Sequence, residues 1–171
     1  MKRLQLCLLV FALTLALPVL AQNPAAPSAV NDALWASLVG EWEGWSESAA
    51  MGRSEDEVEI EWELQHQFLK TKVSIKSSEG TYKGVGYATI DPKTGEMGGY
   101  WFDSDRMTFK TKETRAGNKF TIVWQGPTTF ERTYEKVGED KLVGTYKVTQ
   151  PDGKVVEGKS ELTRKRKAAK Q

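Results

Sequence analysis

The strongest constraint on the fold is an alternation of acidic and apolar side chains over residues 57–64. The alternating run reads Glu57, Val58, Glu59, Ile60, Glu61, Trp62, Glu63 and Leu64. A period of two predicts a β-strand with one buried face and one face in water, which is typical of antiparallel sheets. The following segment alternates lysines with apolar residues, the lysines being Lys70, Lys72 and Lys76. Lysines opposite glutamates predict a hairpin with ion pairs between its strands.

Turn signals then recur at short intervals to the end of the chain. They are Asp91-Pro92-Lys93-Thr94-Gly95, Ser104-Asp105, Ala116-Gly117-Asn118, Gly138-Glu139-Asp140 and Pro151-Asp152-Gly153. This spacing predicts about ten antiparallel strands. Because every connection is short, it favours an up-and-down barrel over a Greek-key sandwich. Upstream, Asn31-Asp32 predicts the cap of one short helix. We therefore expect an all-β barrel with a short N-terminal helix, over residues 31–163.

The N-terminus is typical of an export signal over residues 1–21, followed by a linker over 22–30. Lys2 and Arg3 precede an apolar run, and small residues at 18–21 predict cleavage before Gln22. A retained anchor is the alternative. The only cysteine, Cys7, lies inside this signal, so the mature chain can form no disulfide and must be stabilised by its own core. We expect a secreted protein, with the bacterial periplasm as its location.

Charge divides the chain into an acidic barrel and a basic tail. The whole chain has a formal net charge of +1, and residues 164–171 contain five of its cations. An acidic barrel excludes nucleic acid as a partner, because that affinity depends on neutralising phosphates. The tail either makes weak contacts with anionic surfaces or is solvated and disordered. The sequence does not define an oligomeric state.

The segment Leu38-Val39-Gly40-Glu41-Trp42-Glu43-Gly44 resembles the first-strand signature of the calycin superfamily, which includes lipocalins, fatty-acid-binding proteins and nitrobindins. Two later segments resemble a bacterial family of secreted lipocalin-like barrels whose function is not established; they are Gly86-Tyr87 with Asp91-Pro92, and Gly99-Tyr100-Trp101 with Asp103-Ser104. The resemblance covers residues 33–162 and implies a small barrel that can enclose one ligand. In nitrobindins a late-strand histidine holds haem iron. The single histidine here, His66, does not match that position, so we predict no cofactor; haem held by a tyrosine is the alternative.

Arg132 is the principal candidate for a binding residue. It shares one face of its strand with Phe130 and Tyr134, while glutamates and threonines occupy the other face. If the glutamates face water, Arg132 points into the barrel, where a guanidinium must be paired or must meet an anion. Arg132-Thr133-Tyr134 also resembles the Arg-x-Tyr motif with which fatty-acid-binding proteins hold a ligand carboxylate. The alternatives are a pair with Asp103 or Glu113, or a place at the barrel mouth.

Aromatic residues supply the other candidates. Trp101, Trp124 and Tyr146 lie in predicted mid-barrel strands and either line an apolar pocket or form ordinary core. Trp42 is expected in the core, closing the floor of the barrel.

No spacing in the sequence defines a catalytic site or a metal site. His66 is expected to be solvated, and Asp103-Ser104-Asp105 is expected to be a turn, because no glycine and no later glutamate complete a calcium loop. The favoured function is therefore binding of a small apolar or amphipathic ligand, with a carboxylate head group as one option. An enzyme acting on a small hydrophobic substrate, or a filled barrel that binds a protein partner, are the alternatives.

Overall fold

Ten antiparallel strands close into one barrel in a computed structural model that describes residues 27–166. The elements in chain order are α1 (Ala33–Leu38), β1 (Gly40–Ser48), β2 (Gly52–Glu63), β3 (Phe68–Ser77), β4 (Gly80–Ile90), β5 (Met97–Asp103), β6 (Thr108–Ala116), β7 (Lys119–Gln125), β8 (Thr129–Val137), β9 (Lys141–Thr149) and β10 (Val155–Arg164). Each strand pairs with its neighbours in sequence, and β1 pairs with β10 to close the barrel. The prediction of an all-β, up-and-down antiparallel barrel is confirmed. The predicted signal peptide, most of the linker and the end of the tail lie outside the described residues.

The predicted β2–β3 hairpin forms, and its lysines lie opposite its glutamates. Glu61 lies opposite Lys70 and Glu59 opposite Lys72, and the Lys70 ammonium is 2.7 Å from a Glu61 carboxylate oxygen. Such partly exposed pairs contribute little individually, about 0.2–1 kcal/mol each. Leu64 was expected on the apolar face of β2, and this expectation is wrong. The strand ends at Glu63, and Leu64 begins a left-handed turn (φ 49°) in which its side chain is 67% exposed.

Trp42 closes the floor of the barrel and is fully buried. Its indole nitrogen donates to the carbonyl of Leu38 at 2.8 Å, and the guanidinium of Arg164 lies over its ring, 4.1 Å from the centroid. Arg164 was assigned to the basic tail. It is instead the last residue of β10, paired with Trp42, and it donates to the carbonyls of Val39 and Ser37 at 2.6 Å each.

Helix α1 lies at the same end and is held to β6 by an ionic network. Asp32 caps the helix by accepting from the Trp35 backbone N–H, and its carboxylate also pairs with Arg115 at 2.5 Å. Glu113 accepts from Arg115 and from the Trp35 indole. Burial raises the pKa of Glu113. Burial also acts to raise the pKa of Asp32, but the hydrogen bonds from Arg115 and Trp35 outweigh it and hold that pKa below its usual value.

The opposite end, which we call the mouth, is formed by the β1–β2, β3–β4, β5–β6, β7–β8 and β9–β10 turns. Over residues 27–166, no helix is long and apolar enough to cross a bilayer.

Candidate functional site

The inner wall of the barrel carries a continuous row of aromatic rings near the mouth. Trp101 on β5 meets Trp124 on β7 edge to face, with ring centroids 6.0 Å apart. Trp124 meets Phe130 on β8 at 5.1 Å, and Phe130 stacks on Tyr146 of β9 at 5.8 Å. These four residues, which we call the aromatic row, present both apolar surface and polar ring atoms to the interior.

Glycines on neighbouring strands let two of these rings, those of Trp101 and Tyr146, lie against the wall. A Cβ on Gly86 would stand 2.5 Å from Cε3 of Trp101, and a Cβ on Gly84 would press on the same ring. A Cβ on Gly158 would likewise lie 2.5 Å from Cε1 of Tyr146. Any larger residue at these positions would push the rings into the lumen. The glycines therefore keep the space in front of the aromatic row open.

That space is a cavity of about 530 Å³, which we call the upper cavity. The aromatic row lines one side, and Ser46 and Ser54 line part of the other. The exposed side chain of Met51 is among the mouth residues that border it, so it is continuous with solvent. Its size falls in the range of about 300–1,000 Å³ that is typical of small-molecule sites.

Arg132 on β8 forms the floor of the upper cavity. Its side chain is only 12% exposed, and the guanidinium carbon lies 5.2 Å from the Phe130 ring and 5.3 Å from the Tyr146 ring. Its Nη1 donates to the Tyr134 hydroxyl at 3.1 Å, and its Nη2 donates to Ser46 Oγ at 3.3 Å. The Nε–H is buried and has no hydrogen-bond partner among residues 27–166. That nitrogen is shielded from the cavity as well as from solvent, so a molecule in the cavity can meet only other atoms of the Arg132 side chain.

The carboxylate beside Arg132 is that of Asp56 on β2. Asp56 is 1% exposed, and its Oδ2 lies 4.0 Å from Nη1 of Arg132. Oδ2 also accepts a hydrogen bond from Ser46, and Oδ1 accepts one from Ser54 at 2.8 Å. Ser46 therefore bridges the two charges, because it donates to Asp56 and accepts from Arg132.

Neither acid that the sequence proposed for Arg132 occupies that place. Glu113 lies in the network around α1, where it pairs with Arg115. Asp103 lies at the mouth, where it accepts from the backbone N–H groups of Asp105 and Met107. Asp103-Ser104-Asp105 forms a turn, as expected.

A second polar connection runs from the aromatic row to the mouth. The indole N–H of Trp101 donates to the Tyr82 hydroxyl at 2.9 Å, and that hydroxyl lies 3.4 Å from a carboxylate oxygen of Asp103. Burial raises the pKa of Tyr82 to about 12; the Trp101 hydrogen bond opposes this and the Asp103 charge adds to it. Tyr82 is therefore an uncharged phenol at neutral pH.

Below Arg132 lies a smaller, mostly apolar cavity of about 120 Å³. Tyr134 borders this lower cavity, and its ring contacts Phe120 at 5.7 Å. Trp101, Trp124 and Arg132 border both cavities. Five of the six predicted binding residues therefore surround the upper cavity, and Tyr134 supports Arg132 from beneath.

Sequence reasoning missed Asp56, Ser46 and Tyr82. The alternation that buries Val58 and Ile60 also points residue 56 inward, so a signal for the buried carboxylate was present. No local pattern marks Ser46 or Tyr82.

His66 lies outside both cavities. It occupies the β2–β3 turn with φ 62°, and its exposed ring stacks on Trp62 at 5.2 Å. Among residues 27–166, no three His, Cys, Asp or Glu side chains are grouped so as to hold a metal ion.

Comparison with known proteins gives neighbours in structure. No family model and no curated protein matches the chain. An S-type phycobiliprotein lyase, CPES from Guillardia theta, has a TM-score of 0.53 and 14% identity over 80% of this chain and 92% of that one. A de novo designed fluorescence-activating β-barrel has a TM-score of 0.48 and 18% identity over 79% of this chain and 100% of that one. The structure of EF1p2_mFAP2b bound to DFHBI has a TM-score of 0.49 and 12% identity over 76% of this chain and 95% of that one. At such identities the likeness to the lyase shows the fold alone.

Proposed function

We propose that the upper cavity binds one small apolar or amphipathic molecule and that the protein does not react with it. The observation that carries this proposal is the cavity of about 530 Å³, in which the Trp101 and Tyr146 rings lie against glycines of neighbouring strands. Protein interiors are normally filled to crystal-like density, so a cavity of this size needs an explanation. Apolar burial against the rings would supply most of the affinity, and the Arg132 guanidinium, which lines the cavity, would orient a polar head group.

The geometry favours binding over the two alternatives. A barrel that acts only through its outer face would have its lumen filled by Trp and Phe side chains, whereas here the rings line the wall. The enzyme alternative calls for two carboxylates beside Arg132. Over residues 27–166, Arg132 has one acidic neighbour within ion-pair distance, Asp56.

We also infer that the chain is a calycin-type barrel exported to the periplasm. The Gly40-x-Trp42 motif at the start of β1 and the up-and-down closure support the first inference, and the charged and apolar segments of residues 1–21 support the second. N-terminal sequencing of protein recovered from a periplasmic fraction is expected to begin at Gln22. Protein recovered from the cytoplasm with residues 1–21 still attached would contradict export.

The binding proposal is tested with N-phenyl-1-naphthylamine, an uncharged fluorophore whose emission rises in apolar sites. Val148 on β9 lines the upper cavity, so Val148→Trp places an indole ring inside it and is expected to weaken probe binding about tenfold or more. Val143 on the same strand faces outward and is 39% exposed, so Val143→Trp is the matched control and is expected to bind the probe like wild type. Equal affinity in all three proteins, or no binding to wild type, would overturn the proposal.

A further inference from the structure

We propose that the ligand atom that meets Arg132 is an uncharged acceptor, such as a carbonyl, amide or ether oxygen, and that the upper cavity rejects carboxylates. This inference rests on the proposed binding function and specifies the ligand for the same site. It departs from the carboxylate that the Arg-x-Tyr motif at Arg132 and Tyr134 implies.

The first argument is that Arg132 already has a counter-charge. Asp56 lies within ion-pair distance of the guanidinium, and both side chains are buried, at 12% and 1% exposure. Ser46 and Ser54 donate to the Asp56 carboxylate, so its oxygens are satisfied as a buried carboxylate requires. The Arg132–Asp56 pair is thus formally neutral without a ligand.

The second argument follows from charge balance. A ligand carboxylate beside Arg132 would place a second anion near one cation at the bottom of the cavity, where Arg132 and Asp56 are themselves buried. No further positive charge would then compensate for the free energy of removing that carboxylate from water. The Arg132 guanidinium that lines the cavity offers hydrogen-bond donors, and an uncharged oxygen accepts from them without altering the charge balance.

The third argument concerns the mouth. Apart from Arg132, the charged side chains that line the upper cavity in the described part of the chain are Glu79, Asp103 and Asp105. All three are acidic, so they repel an approaching anion. The acidic mouth and the Arg132–Asp56 pair at the floor of the upper cavity therefore disfavour carboxylates independently of each other. Salt screens only the repulsion by the exposed mouth residues.

Three competitors with one ring system separate the charge of the ligand from its shape: 1-naphthamide, 1-naphthoate and 1-naphthylmethylammonium. Each competitor is titrated against bound N-phenyl-1-naphthylamine in wild type, Asp56→Asn and Arg132→Gln, at low and at high salt.

In wild type, 1-naphthamide is expected to bind about tenfold or more tightly than 1-naphthoate, and this preference is expected to persist at high salt. Asp56→Asn leaves the Arg132 cation without its counter-charge and is expected to raise the affinity for 1-naphthoate about tenfold relative to that for 1-naphthamide. Arg132→Gln leaves the Asp56 anion without its counter-charge and is expected to raise the affinity for 1-naphthylmethylammonium instead.

Asp105→Asn is the matched control, because it removes the same charge from an exposed position at the mouth. It is expected to change the amide-to-carboxylate ratio only at low salt. The opposite shifts in Asp56→Asn and Arg132→Gln distinguish a charge effect from partial unfolding, which would weaken all three competitors alike. If wild type binds the amide and the carboxylate equally and neither substitution alters the ratio, this inference is wrong while the binding function stands. If the probe does not bind wild type at all, the proposed function itself fails.

Discussion

The indole ring of Trp101 lies against the backbone of Gly84, so that a Cβ on Gly84 would stand 2.7 Å from the indole nitrogen and nearer still to the ring carbons. Gly84→Ala must therefore displace the ring toward the lumen and break its hydrogen bond to Tyr82. We expect a loss of about 1–3 kcal/mol in unfolding free energy, the usual range for overpacking, together with weaker binding of N-phenyl-1-naphthylamine. Urea denaturation measures the first effect and fluorescence titration the second.

The Gly84→Ala change has an internal control. In a Trp101→Phe background the smaller ring leaves room for the added methyl group, so the same substitution should cost less. Equal costs in the two backgrounds would show that the glycine serves another purpose.

Arg164 and Trp42 form the second close contact that can be tested. Arg164 donates to two carbonyls near α1 while covering the Trp42 ring. A lysine cannot reproduce this planar arrangement, so Arg164→Lys is expected to lower the unfolding free energy by about 1–2 kcal/mol. Arg166→Lys, at a side chain that is 87% exposed, is the control and should have no measurable effect. Equal stability of the two variants would contradict the assignment of Arg164 to the fold.

Tyr82 gives a spectroscopic prediction. Because its pKa is raised to about 12, the folded protein retains the Tyr82 proton at pH values where the unfolded chain loses it. Its contribution to stability is thus fully present below about pH 10, the ordinary tyrosine pKa, and is lost as pH rises toward 12. An absorbance titration at the phenolate band should show one tyrosine that ionises late and is missing in Tyr82→Phe. A late tyrosine that persists in the variant would refute the assignment.

The ionisation of Asp32 is expected to change stability with pH in the direction opposite to that of Tyr82. Its pKa is lowered in the folded state, so the stability it contributes is present above its unfolded pKa and is lost as pH falls through the folded one. Asparagine can still cap α1 but cannot pair with Arg115, so Asp32→Asn should lower the free energy of unfolding by about 1 kcal/mol at neutral pH. This difference should shrink when the pH falls below the usual Asp pKa. Glu139→Gln, at a side chain that is 90% exposed, should cost nothing at either pH. A cost that stays constant with pH would argue against the ion pair.

The sequence predicted the strands and the inward face of β8 because a period of two is a local property. Alternation assigns a residue to a face, and on that basis Phe130, Arg132 and Tyr134 were correctly placed inside. It does not give the height of a residue in the barrel, which depends on the register and stagger of all ten strands. The meeting of Arg132 with Asp56 was therefore not predictable, although the face of each residue was.

The same limit applies to the glycines of β4. Glycine within a strand, as at Gly84 and Gly86, is typical of curvature or of a close approach by another group, but the sequence does not identify Trp101 as that group. The contact depends on the pairing of Gly86 with Trp101 across two strands.

The six tryptophans of the chain allow the most direct test of ligand binding in the upper cavity. Trp101 and Trp124 line that cavity. Trp42 is buried at the floor of the barrel, at the end opposite the mouth, and Trp45 lies outside the barrel wall beneath Arg53. An NMR titration of the indole N–H signals with N-phenyl-1-naphthylamine is therefore predicted to shift Trp101 and Trp124 and to leave Trp42 and Trp45 unchanged. Shifts confined to Trp45, or no shift at Trp101 and Trp124 when the probe is bound, would contradict binding in the barrel.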